Sequence, residues 1–458
     1  MLSKHKIKRN NLIFYGLIIV TSLIFSTGCV ANNAYFNPAK MPTPSVVGMN
    51  NIARINENNL AKNFFRVKLD PAHDWLSVSK GAYNGQFYTR DTFVSFIGGV
   101  EADNSIRDRL AYALDWFGTL IEPDGYLPIW VSVSNQNQLN IYNFCPYNKT
   151  IKTGGIRQLD HMLEYINAVY LNYRKTKNKV WLRAHLPYIE KIYAYLQIKT
   201  DDYLLVGPYS EYAGSDWADQ IRRSGKASFI NAYWYQANRQ LAEIYGALGE
   251  IKKQSRILEY AQNVKRAFNK LFWVVSTPHN CGDIPFGHYL AWKNDFGTYD
   301  YFEIDGNTLA IAAGLANEEQ TKSILNTILA RFGYFVDKNG ATRVVCGHYD
   351  NAATNMAAGS SQNGAYWYIV SYYLTMALAR NGNEKYLYDI YDRAAAATEQ
   401  YAAEGLNEWY YENGKPGGAP NYSWSLMYPV FLISILENNN PVYKIGQPPS
   451  FDYCPAVH

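Results

Sequence analysis

The chain has 458 residues, 48% hydrophobic and 18% charged, which is enough apolar material for a large core and too much for a disordered chain. Its formal net charge of +4 comes from scattered lysines, with no basic stripe to follow a phosphate backbone, so nucleic acid is not expected as a partner. The 40 Tyr, 20 Phe and 11 Trp exceed ordinary usage; most must fill the core, and a subset exposed in a cleft would suit sugar faces, which stack on aromatic rings.

Lys4, Lys6, Lys8 and Arg9 give a basic start, followed by an apolar run over 12–25 that is short for a bilayer span and suits a secretory signal. It ends in Ser26-Thr27-Gly28-Cys29, which resembles the lipobox of bacterial lipoproteins, with Ser26 where that pattern usually has Leu. The resemblance implies a signal over 1–29, a lipid on Cys29 and an exported, membrane-anchored protein of the cell envelope. Val30 gives no inner-membrane retention cue. An ordinary signal or a single anchor helix is the alternative. In an oxidising compartment Cys145, Cys281, Cys346 and Cys454 form either two disulfides, with three pairings open, or remain free.

A segment over 30–87 is expected to pack on a helical domain over 88–440, with a tail over 441–458. Ile106, Leu110, Leu114, Phe117 and Leu120 repeat at helical spacing, as do Leu163, Ile166 and Tyr170, then Leu182, Leu186, Ile189, Tyr193 and Leu196. Further helices are predicted over 229–248, 251–272, 306–316, 318–332, 362–380, 384–403 and 422–437. Period-2 alternation is rare, so no sheet is expected. Gly249, Gly314 and Gly382 stand where helices end in the left-handed conformation, and Asn317 where the next is capped. Helical hairpins with long loops over 123–137, 207–225 and 405–420 suggest an all-α fold, an α/α toroid, rather than a solenoid, for which no fixed repeat is visible.

There is no phosphate loop, no His-Glu-x-x-His helix and no Gly-x-Ser-x-Gly elbow. His279 near Cys281 and His348 near Cys346 allow a structural zinc, packing or a disulfide; no cofactor is expected. Two loops stand out. The first runs Glu211-Tyr212-Ala213-Gly214-Ser215-Asp216-Trp217-Ala218-Asp219, where an acidic side chain beside Trp217 can be desolvated and kept protonated, as a general acid requires. The second runs Asn407-Glu408-Trp409-Tyr410-Tyr411-Glu412-Asn413-Gly414, with Trp424-Ser425 beyond it. Each carboxylate taken alone reads equally as a solvated loop residue.

In order, these segments resemble the six-hairpin glycosidases, which share an (α/α)6 barrel, and within them the family of processing α-glucosidase I and mannosylglycerate hydrolase, relatives of trehalase and glucoamylase. Gly214-Ser215-Asp216 after Glu211 is similar to the family's general-acid segment, with one extra residue, and Glu408, Gly414 and Trp424-Ser425 to its general-base segment, one residue shorter. Tyr88-Thr89-Arg90-Asp91 resembles the segment that holds the terminal sugar. Arg157-Gln158-Leu159-Asp160 partly resembles another glucoamylase segment, with the spacing different by one residue, and Gln362-Asn363-Gly364 with Trp367 resembles a helix start of the clan. Asp305-Gly306-Asn307 is a weaker match. The resemblance covers 88–435.

The resemblance implies an inverting, exo-acting hydrolase of an α-glucoside or similar α-linked sugar, with Asp216 as general acid, Glu408 as general base and no metal or organic cofactor. It implies sugar binding by Arg90, Asp91, Asp160, Trp217, Asn363, Trp367 and Trp409, while Trp424 serves as wall or core. Asp219 and Glu412 are rival carboxylates in the two loops. The partners expected are an oligosaccharide or small glycoside and, through the lipid, a membrane. A polysaccharide lyase on the same toroid, an inverting phosphorylase and a lipid-anchored glycan-binding protein are the alternatives.

Overall fold

The computed structural model describes residues 45–453 apart from 68–69, 80–82, 84, 134–138, 143–156 and 210–213. Cys29 with its lipobox, Cys145, Cys454 and Glu211 lie outside the described residues.

The helices are α1 Val46–Ala61, α2 Thr89–Gly99, α3 Asn104–Thr119, α4 Asp160–Thr176, α5 Lys179–Gln197, α6 Ser228–Leu248, α7 Ile251–Phe272, α8 Ile304–Ala313, α9 Glu318–Ala330, the single turn α10 Phe332–Phe335, α11 Tyr368–Arg380, α12 Glu384–Gln400 and α13 Ser423–Leu436. Helices α2, α4, α6, α8, α11 and α13 touch one another in that order, and α13 returns to α2, so they close a ring. Each of the first five is followed by an antiparallel partner on the outside: α3, α5, α7, α9 and α12. The result is an (α/α)6 toroid.

The two rings differ as their sequences dictate. Every residue of α2 and α8 is buried, because inner helices have neighbours on all sides. The outer α7 buries Ile257, Ala261, Val264, Phe268 and Phe272, a single stripe at spacings of three and four. The seam between first and last inner helices is tight: a Cβ at Gly98 of α2 would overlap the Met427 carbonyl of α13. Among the described residues no α-helix follows α13, and α1 packs in the outer position against α13 and α12. The segment before residue 88 thus supplies the sixth outer helix.

The left-handed C-caps at Gly249 and Gly314 are present, and Asn317 forms a capping box with Gln320. The expectation of no sheet is corrected. Residues just before inner helices pair as short antiparallel strands: Gln86–Tyr88 with Trp130–Val133, Lys226–Ala227 with Trp292–Asn294, and Tyr366–Trp367 between Thr342–Arg343 and Trp409–Tyr410. These strands run only two to four residues, too short for alternation to register in the sequence. Cys281 and Cys346 are bonded to each other, with Cα atoms 5.1 Å apart, which excludes a zinc held by both thiolates.

Candidate active site

Because each hairpin reverses direction, the six inner helices run parallel and start at one end of the ring. Three of them carry an acid in the first turn (Asp91 of α2, Asp160 of α4, Asp305 of α8), where the helix dipole favours negative charge. A cavity of about 410 Å³ opens there, a size suited to a small ligand. Its walls include Arg90, Asp91, Asp219, Glu408, Tyr422 and the rings of Trp217, Trp367, Trp409 and Trp424.

The loop before α6 is folded by its own backbone. Gly214 N–H donates to the Asp219 carbonyl at 2.9 Å and Ser215 N–H to that of Arg223 at 2.9 Å. Within it, Asp216 points inward. Its Oδ1 accepts from Ala218 N–H at 3.0 Å and from Arg223 Nη1 at 3.1 Å, and the residue is fully buried. Burial pushes its carboxyl up to about 6; Arg223 opposes this, and Asp160 and Asp305 add to it. The same guanidinium binds Glu303 at 2.9 Å and Asp305 at 2.9 Å, and Asp305 also accepts from Trp217 Nε1 at 2.8 Å. The expectation for Asp216 changes here: it fixes the loop and does not line the cavity. Three residues on, the half-buried Asp219 does. Gln362 clamps this stretch, donating to Asp219 Oδ1 at 3.0 Å and the Trp217 carbonyl at 2.9 Å, and accepting from Gln220 N–H at 2.8 Å.

Glu408 lies on the hairpin before α13. Its N–H donates to the Ala419 carbonyl at 2.9 Å, and its Oε2 accepts from Ala419 N–H at 3.1 Å. Burial pushes the Glu408 carboxyl up to about 8; the Ala419 N–H opposes this, while the charges of Asp91 and Asp219 reinforce it. Trp409 pairs across the strands with Trp367, their rings stacked at 6.1 Å and 19°. The rival Glu412 does not line the cavity: it is bound by Arg343 and His348, which hold its carboxyl low despite partial burial.

Arg90 and Asp91 both line the cavity, and Asp91 accepts from the Tyr422 hydroxyl at 2.5 Å. Asp160 is corrected: it is fully buried behind Arg90, whose Nε reaches it at 2.7 Å. Burial alone would raise its carboxyl, but the Arg90 charge holds it low. Asn363 is corrected likewise. Its amide is spent on backbone, accepting from Tyr349 N–H at 2.7 Å and donating to the Met356 carbonyl at 2.8 Å, and Gln362 takes the cavity position. Trp217, Trp367 and Trp409 line the cavity, as does Trp424. Arg223, Glu303 and Tyr422 are not among the residues expected from the sequence. Tyr422 is the N-cap residue of α13 and Trp424 lies in its first turn. Arg223 carries no motif, and only the fold brings it to its carboxyls.

No protein-family profile matches the sequence, and no curated protein does. Among solved structures, mannosylglycerate hydrolase of glycoside hydrolase family 63 from Thermus thermophilus, solved with glucose, superposes with a TM-score of 0.58 at 17% identity, over 83% of this chain and 99% of that one. The fold is that of the six-hairpin glycosidases. The family 78 rhamnosidase of Bacillus sp. GL1 is similar at a TM-score of 0.58 and 14% identity, over 85% of this chain and 35% of the rhamnosidase. The six-hairpin ring explains why acids from four separate segments, around Asp91, Asp219, Asp305 and Glu408, gather at one end.

Proposed function

We propose that the protein is an inverting glycoside hydrolase that removes a terminal α-linked sugar, with Asp219 as general acid and Glu408 as general base. The observation that carries this reading is that Asp219 and Glu408 both face one cavity walled by four tryptophans. Asp219 comes from the loop before one inner helix and Glu408 from the loop before another, as an acid and a base on opposite faces of a sugar require. In the reaction Asp219 gives its proton to the leaving oxygen, and Glu408 takes one from the attacking water. Inversion needs roughly 6.5–9.5 Å between the two carboxyls, room for that water. Asp91, with Arg90 beside it, offers acceptors and donors to the hydroxyls of the terminal sugar, and the indole faces offer stacking surfaces.

The test is a hydrolysis screen with the protein lacking residues 1–29, on p-nitrophenyl α-glucoside, α-mannoside and α-rhamnoside, trehalose and mannosylglycerate. Proton NMR of the first product is expected to show the β-anomer. Release of the α-anomer overturns inversion, and intact sugar across the panel overturns hydrolysis.

Gly418 sets the base. It adopts φ +66°, which side chains rarely accept, and a Cβ there would run into the Glu408 carboxyl and lie 2.7 Å from the Trp409 indole nitrogen. Gly418→Ala is expected to lower kcat by about 10²-fold, the scale of a misplacement near 1 Å. Parallel kinetics and circular dichroism check that the loss comes without unfolding.

A further inference from the structure

We propose that a groove at the neck of the loop carrying Asp219 is a second carbohydrate-binding site, which holds a further stretch of the oligosaccharide whose end lies in the cavity. This rests on the glycosidase reading above and adds to it the substrate class: a glycan of several units rather than a single small glycoside.

The groove, of about 700 Å³, is larger than the cavity and shares no lining residue with it. Gly207 and Gly225 close the neck of the loop, each N–H donating to the other's carbonyl, at 2.7 and 2.9 Å. Both glycines line the groove, while Asp219, between them in the chain, lines the cavity. Tyr195, near the end of α5, and Leu271, near the end of α7, form another part of the wall. Helices α5 and α7 run antiparallel to their inner partners, so these ends lie where the inner helices start. Groove and cavity therefore open at the same end of the ring, along one loop.

Two aromatic rings stand in the groove without being packed away. Trp292–Asn294 pairs with Gly297–Tyr299, Asn294 opposite Gly297, which leaves Asp295 and Phe296 as a two-residue turn. Hairpin turns favour Gly, Asn and Asp, and the Phe296 ring, 69% exposed, is not spent on the core. Its neighbour is Tyr209, 54% exposed, with ring centroids 4.7 Å apart and planes tilted by 39°. The turn itself is braced. Asn294 Oδ1 accepts from Phe296 N–H at 2.9 Å and Gly297 N–H at 3.1 Å, and its Nδ2 donates to Ser224 Oγ at 2.9 Å. Lys293 pairs in turn with Lys226 of the strand before α6. A ring held out on a fixed turn is pre-organised, so little ordering cost opposes binding.

The walls select the partner. The ring faces suit the C–H face of a pyranose, and Lys199, Lys293 and Asp295 set donors and acceptors around them for its hydroxyls. An apolar protein surface would bury those charges without partners, which is costly. A hydroxylated chain bonds them directly or through water and leaves them hydrated.

The test is chain-length dependence. With the sugar and linkage that the hydrolysis screen identifies, the disaccharide and the hexasaccharide are compared on the wild type, Phe296→Ala and Tyr209→Ala. In the wild type the hexasaccharide is expected to show a KM at least about 10-fold lower than the disaccharide at similar kcat, because binding that is equal in ground and transition states lowers KM alone. Each variant is expected to raise the hexasaccharide KM by about 10-fold, the scale of one lost aromatic anchor, and to leave the disaccharide unchanged. Equal KM values for the two lengths in the wild type, or a rise in the variants that is the same for both lengths, overturns the proposal. A dimer in sedimentation that Phe296→Ala dissolves would assign the rings to a second copy of the chain and overturn it as well. Should the screen show no hydrolysis, the glycosidase reading fails, and calorimetry with α-gluco- and α-manno-hexasaccharides judges the groove by itself. Binding that Phe296→Ala weakens by about 10-fold upholds the site, and no binding overturns it.

Discussion

Asp219→Asn is expected to lower kcat by about 10²–10⁴-fold, the usual contribution of a positioned proton donor, while leaving the melting temperature unchanged. Asparagine keeps an oxygen for the Gln362 amide that now meets Asp219 Oδ1 at 3.0 Å, so the loop keeps its clamp and loses only the transferable proton. Glu408→Gln is expected to behave the same way, because its amide still offers an oxygen to Ala419 N–H. Asp216→Asn should do the reverse. It retains an acceptor for Ala218 N–H but removes one of three carboxyls from a guanidinium with no solvent, at a cost of about 1–3 kcal/mol. Comparing kcat with urea midpoints across the three variants separates acid from scaffold. A fully stable Asp216→Asn with the largest kcat loss would return the acid role to Asp216.

Arg223→Met is expected to destabilise the fold by about 3–5 kcal/mol, the scale on which one partner of a buried ion pair is missed. Asp216, Glu303 and Asp305 meet at this guanidinium, and all four residues are fully buried. Even with Arg223 present, burial pushes Glu303 up to about 8 and Asp216 to about 6. Without it they rise further, so the folded variant must hold these carboxyls protonated. A carboxyl whose folded pKa is raised gives its stability below the unfolded value, near 4, and loses it as pH rises through the folded value. The deficit of Arg223→Met should therefore be smallest near pH 4–5 and grow toward pH 8. Urea unfolding at those two ends measures it; a deficit independent of pH would mean that the cluster is not held by charge.

The sequence carried the helices and hid much of the site, for a physical reason. Helices α7 and α9 start where predicted because their apolar stripes and caps are local properties. The helix expected over 362–380 begins instead at Tyr368, because Gln362 and Trp367 serve the cavity and a strand rather than the helix. Short motifs such as Arg90-Asp91 and Glu408 located the segments of the site. They could not say which of two acids three residues apart turns outward. Asp216 and Asp219 differ only in what their loop folds against: Arg223 stands further along the same loop, and Glu303 and Asp305 reach it from the start of α8.

The sixth outer helix comes from the start of the chain and its inner partner from the end. Asn56 donates to Thr398 at 3.1 Å, Asn59 to the Ala402 carbonyl at 3.0 Å, and Asn63 to the Asn421 carbonyl at 2.7 Å, while Ser423 N–H reaches the Val78 carbonyl at 2.9 Å. During synthesis α1 emerges first and must wait for almost the whole chain before its partner exists, a contact order that slows closure. The last stitches run through Asn421 and Ser423, which flank Tyr422 and lie beside the Glu408 hairpin. Glu408 therefore takes its place in the cavity wall only when the ring shuts.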